Sequence, residues 1–149
     1  MIRAVFFDLY NTICRFDPAP EHSQAKILLD EGISIDKDSI AYAYPFADEY
    51  MATENERLPI KDRSLEERND FFAHYEHVLL QNAGLDVSLD FADKIFSKLR
   101  KIPQRFALFD DVIITLEKLK SEDRIIGILS NLDQDIDQVI DSLSLSDYV

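Results

Sequence analysis

Basic residues are scarce in this sequence. Sixteen lysines and arginines against 29 acids leave a formal net charge of −13. Such a field repels nucleic acid and anionic membranes, so neither is expected as a partner. It also repels phosphorylated ligands at long range, so any phosphate site would have to be locally positive. Cysteine is scarcer still: Cys14 alone can form no internal disulfide, and it reads as a small buried residue rather than a reactive thiol. No run approaches the ~20 apolar residues of a membrane span, and the N-terminus has the pattern of a strand, not of a signal peptide. Together these absences predict a soluble, cytoplasmic protein. Glycine and proline are few, as in ordinary globular chains. The 149 residues suit one domain, or one domain carrying an insertion, with about 68–70% of the unfolded surface buried on folding.

No hairpin turn joins the two most strand-like runs. Ile2–Phe7 is short, apolar and rich in strand formers, and Ile125–Leu129 is its only close counterpart. A helical pattern, Val112, Ile113, Leu116 and Leu119, leads directly into the second run. A helix feeding a buried strand is half of a βαβ crossover, so the two strands are expected as parallel neighbours. The stretch between them is helical and charged. One helix is expected from Ser23 to Gly32. A second is capped by Asp36 and runs to about Met51, with Pro45 as a kink. Asn55–Asp62 reads as a loop. Ser64 and Glu67 form a capping-box pattern for a helix ending at Asn82 before Gly84, and Ser88 opens another to about Arg100. A last helix carries Ile136, Val139, Ile140 and Leu143.

In open parallel α/β sheets, ligands bind beyond the carboxyl ends of the strands. Parallel pairing therefore brings Asp8 and Ser130 to one rim. Asp8 offers an anionic nucleophile or a metal ligand, and Thr12 and Ser130 offer hydroxyl donors. Asn131 lies near the start of the last helix, where unpaired N–H groups favour an anion. One acid and several neutral donors can attack an electrophile and hold an oxyanion. Each residue also has a plainer reading. Asp8 could form a turn, Ser130-Asn131 could only cap the last helix, and Asp133–Asp137 could be a solvated first turn. His74 and His77, three apart on a helix, read as ordinary helix surface.

FFDLYNT, followed at long range by ILSNLD, resembles the haloacid dehalogenase-like (HAD) hydrolase superfamily. The resemblance implies a HAD-like α/β (Rossmannoid) parallel-sheet core, residues 1–16 and 106–149, with an inserted helical cap, residues 17–105. FALFDDVIITLEKLK resembles the helix preceding the second motif. Asp8 then matches the nucleophile of an aspartyl intermediate, Thr12 the threonine supporting its loop, Ser130 the hydroxyl binding the transferring group, and Asn131 the polar residue after it. Tyr10 stands where the family's phosphatases carry a general acid–base Asp, whose backbone carbonyl touches Mg²⁺. The metal-free 2-haloacid dehalogenases carry Asp-x-Tyr. An ordinary phenol, with a pKa of ~10, is a poor base near neutrality; Tyr10 fits an active-site side chain or packing under the cap.

The resemblance implies a small-molecule substrate and three functional readings. The first is a Mg²⁺-dependent phosphatase of small phosphate esters, with Asp8 and the Tyr10 carbonyl on the metal, favoured by Ser-Asn-Leu-Asp. The second is a 2-haloacid dehalogenase without cofactor, favoured by Tyr10. Against it, Ser23–Ala43 offers only Lys26 and Lys37 as bases and no arginine for a substrate carboxylate. The third is a non-catalytic member or fragment that binds anions or a partner. No lysine follows Lys120, and the family's third and fourth motifs are absent, so the chain is expected to stop early and to leave a sheet edge open to self-association.

Overall fold

A computed structural model describes residues 2–130 and 135–149. The chain divides into two compact units. One comprises residues 1–19 and 104–149, the other residues 20–103.

The first unit contains two small sheets. β1 (Ala4–Asp8) and β4 (Ile125–Leu129) pair in parallel, with Ala4 opposite Ile125 and Asp8 opposite Leu129. The expected parallel pairing is thus present. β2 (Cys14–Asp17) and β3 (Arg105–Leu108) form an antiparallel ribbon, Cys14 opposite Leu108 and Asp17 opposite Arg105. This ribbon corrects the sequence reading, which gave residues 106–108 to a helix. Phe106 and Leu108 gain partners far upstream, and the helix α5 starts only at Val112, running to Ser121. α6 spans Ile136–Ser142, capped by the Asp135 side chain accepting from the Asp137 N–H.

Alternation along the parallel pair sorts its side chains. Val5, Phe7, Ile126 and Ile128 share the face that meets the core, which α5 and α6 complete with Val112, Leu116, Val139 and Leu143. Phe6, Ile125 and Leu129 share the opposite face and are each 60% exposed or more. Parallel sheets normally bury both faces; here, among the described residues, one apolar face is uncovered.

The second unit is helical: α1 (Pro20–Asp30), α2 (Lys37–Arg57), α3 (Leu65–Asn82) and α4 (Leu89–Leu99). α2 is longer than expected, continuing past Pro45 to Arg57, and a single 3₁₀ turn, Ile60–Asp62, follows. The Ser64–Glu67 capping box is complete: the Glu67 N–H donates to Ser64 Oγ, and the Ser64 N–H to the Glu67 carboxylate. α1 and α3 end in Schellman turns, where the Ile33 N–H reaches the Leu28 carbonyl and the Leu85 N–H reaches that of Leu80. Both turns need a left-handed residue, which Gly32 (φ +84°) and Gly84 (φ +92°) supply. The buried core includes Leu28, Ile40, Leu79, Leu80 and Ile95. Glu31, in the turn after α1, pairs with Lys94 and Lys98 of α4.

Candidate functional site at the rim of the parallel strands

The loop after β1 is built by alternating burial. Leu9, Ile13 and Cys14 are fully or almost fully buried, while Asp8, Tyr10, Asn11 and Thr12 are exposed. Burying a leucine-sized side chain stabilises by roughly 1.5–3 kcal/mol, so the apolar residues anchor the loop and leave the polar ones at the rim. The backbone closes tightly around Leu9, whose carbonyl accepts from the Ile13 and Cys14 N–H groups at 3.0 and 3.1 Å. Asn11 takes the left-handed conformation, φ +59°, that this turn requires, and its N–H donates to the Cys14 carbonyl at 2.8 Å. Asparagine is among the few side chains that tolerate it.

Within this loop, Thr12 Oγ1 donates to Asp8 Oδ2 at 2.8 Å. This hydrogen bond fixes one carboxylate oxygen of Asp8. Because Asp8 lies opposite Leu129, Ser130 leaves β4 at the same rim and is exposed there. Asn131, expected beside it, lies outside the described residues, as does Asp133.

Tyr10 does not stand alone. Its ring lies 4.8 Å from that of Phe16 and 6.5 Å from that of Phe106, and those two stack at 5.0 Å. The β2–β3 ribbon thus supplies an aromatic wall carrying Tyr10. Phe16 and Phe106 were not singled out from the sequence; the only signal was the alternation in Cys-Arg-Phe-Asp and Arg-Phe-Ala-Leu. Burial first, and the Asp8 carboxylate second, push the Cys14 thiol up to about 11, so Cys14 is an unreactive anchor. His74 Nδ1 faces the Asp70 carbonyl and His77 Nε2 that of Val87, each at 2.9 Å. Among the described residues no group of three His, Cys, Asp or Glu side chains could hold a metal ion.

No protein-family profile and no curated protein sequence matches the chain. Solved structures do. A crystal structure of a dehalogenase superposes with a TM-score of 0.51 at 20% identity, covering 99% of this chain and 60% of that one. A dehalogenase crystallised with an intermediate complex gives 0.50 at 20% identity over the same shares. What is shared is the fold. This chain therefore spans about 60% of the length of those dehalogenases. Among the described residues no helix is long and apolar enough to cross a membrane.

Proposed function

We propose that the chain carries the nucleophilic part of a haloacid dehalogenase-like hydrolase site, with Asp8 as nucleophile and small 2-haloacids as the substrate class. One observation supports this most. The parallel register puts Asp8 and Ser130 at one rim, in a fold shared with dehalogenases.

An Asp8 carboxylate oxygen attacks the carbon bearing the halogen. A C–O bond forms, the C–halogen bond breaks, and halide leaves with the bonding pair. Water then adds to the carbonyl carbon of the resulting ester, releases the hydroxy acid and restores the carboxylate, one proton passing to solvent. Thr12 orients the carboxylate through Oδ2. Halide departs without a proton, so tyrosine at position 10 removes nothing the first step needs; its ring continues the apolar wall of Phe16 and Phe106. Ser130, and Asn131 by resemblance, donate to the substrate carboxylate.

The Mg²⁺-dependent phosphatase reading draws on Ser130-Asn131-Leu132-Asp133, of which only Ser130 is described. The fold comparison lends it nothing. In that reading Asp8 and the Tyr10 carbonyl would be protein ligands of Mg²⁺, with waters and the phosphate completing its octahedral shell, and no step is routed through a metal.

The test is halide release from 2-chloropropionate without added metal. Asp8→Asn should lower the rate by at least roughly 10⁴-fold. Thr12→Val, which removes one hydrogen bond to the carboxylate, should lower it roughly 10–100-fold. Mg²⁺-dependent release from an aryl phosphate, lost in Asp8→Asn and unaccompanied by halide release, would replace this reading with the phosphatase. Neither activity from a folded sample would leave a binding module.

A further inference from the structure

The helical unit buries an acid that the rim chemistry does not use. Glu76, on α3, is 1% exposed. Its hydrogen-bond partner is Gln24 of α1, itself fully buried, whose Nε2 donates to Glu76 Oε1. The Gln24 carbonyl oxygen accepts in turn from the Tyr44 hydroxyl of α2 at 2.9 Å. A single chain of hydrogen bonds therefore ties α1, α2 and α3 together and terminates on a carboxyl group.

Among the described residues no cation compensates that carboxyl. α1 presents only the neutral Gln24. α2 presents Tyr44, together with Asp48, which accepts from the Tyr75 hydroxyl at 3.0 Å. α3 presents Tyr75, whose phenol is pushed up by burial first and by Asp48 second. On α4, Lys94 and Lys98 are engaged by Glu31. A buried carboxylate without a positive partner is costly, and the group stays neutral instead. Burial raises Glu76 from 4.5 to about 8, the Gln24 hydrogen bond opposing only part of that.

α3 packs extensively on both α2 and α4, whereas α1 packs more sparsely on α2 and α4. α1 is also the element whose Gln24 lies over the acid. We propose that Glu76 and Gln24 form a proton-operated latch: the neutral acid lets α1 close on α2 and α3, and ionisation releases α1 to admit water.

The sign follows from proton linkage. The closed form holds the proton to higher pH than the open form, where a solvated carboxyl titrates near 4.5. Closure is unaffected below about pH 4.5, weakens as pH rises, and reaches its weakest level above about pH 8.

The latch is tested by amide hydrogen exchange on the full chain, each rate divided by the intrinsic rate at that pH. The opening constant of the Ile27 and Leu28 amides should rise about tenfold per pH unit between about pH 5 and about pH 8. In Glu76→Gln it should be flat. His22, His74 and His77 are present in both proteins, so the difference isolates Glu76. Should the variant not fold, the ¹³C carboxyl resonance of Glu76 in the wild-type chain provides the same test, with its midpoint expected near pH 8. A pH-independent opening constant, an equal slope in Glu76→Gln, or a midpoint in the ordinary carboxylate range would each overturn the latch.

Discussion

The two units solve the same local problems with different residues. In the helical unit the left-handed positions ending α1 and α3 are glycines, Gly32 and Gly84. In the sheet-bearing unit the equivalent positions after α5 and α6 are Asp123 (φ +54°) and Ser144 (φ +57°), and the rim loop carries Asn11 at +59°. The Schellman hydrogen bonds are nonetheless made: the Arg124 N–H reaches the Leu119 carbonyl, and the Leu145 N–H that of Ile140, both at 3.0 Å. Both units leave apolar side chains in water: Leu29, Tyr42 and Leu65 of the helical unit are exposed like Phe6, Ile125 and Leu129, but in the sheet-bearing unit the three share one face of a single strand pair. At the left-handed positions, local choice agrees with the backbone in one unit and conflicts with it in the other. Proteins tend to concentrate such conflicts near functional positions, and the candidate site lies in the unit that carries them.

The largest effects should come from deleting the same buried volume in each unit. Leu80 of α3 and Leu9 of the rim loop are both fully buried. Leucine-to-alanine changes in cores cost about 2–5 kcal/mol, and the value depends on how far the surroundings collapse into the hole. Leu80 is enclosed by packed helices, so Leu80→Ala should fall in the upper half of that range. Leu9 sits under an exposed loop that can settle, so Leu9→Ala should fall in the lower half. Denaturant unfolding followed by residue-resolved NMR would measure both. A larger loss for Leu9→Ala would break the comparison.

Gly84→Ala comes next. Nothing lies within 4 Å of the position a Cβ would take, so its cost is backbone strain alone. That is about 1–2 kcal/mol for an L-residue in the left-handed region, read as a lower midpoint in the same denaturant titration. An unchanged midpoint would mean that the turn gives way without loss.

Local signals made much of this fold legible. The Ser64–Glu67 box, the Asp36 and Ser88 caps and the glycine stops are short-range chemistry, and each appears where the sequence puts it. The parallel pairing of β1 with β4 was readable because two apolar runs lacked a turn and the second followed a helix. The β2–β3 ribbon was not. Each of its strands has four residues of mixed polarity, and each finds its partner across the whole sequence of the helical unit. Phe16 and Phe106 escaped notice at the candidate site for that reason. Glu76 was hidden in the same way: an acid within a charged helix reads as solvated until Gln24 arrives from another helix to bury it. For the rim itself, Asp8, Thr12 and Ser130 were legible through motif and strand direction. The contact of Tyr10 with the ribbon needed the fold.

The smallest effect tests the asymmetry from its other side. If the sheet-bearing unit carries strain at its helix ends, glycine there should relieve it. Ser144 makes the Schellman turn of α6 with its N–H on the Asp141 carbonyl at 3.0 Å. Ser144→Gly keeps that backbone hydrogen bond and removes the Cβ crowding. Glycine also loses more conformational freedom on folding, so the gain is partly offset and should amount to about 0.5–1 kcal/mol. Asp123→Gly should behave alike at the end of α5. The two sites terminate different helices, so their effects should add within about 0.5 kcal/mol in the double variant. A loss of stability in either variant would mean that the side chain compensates its own strain, and the contrast between the units at their helix ends would then be broken.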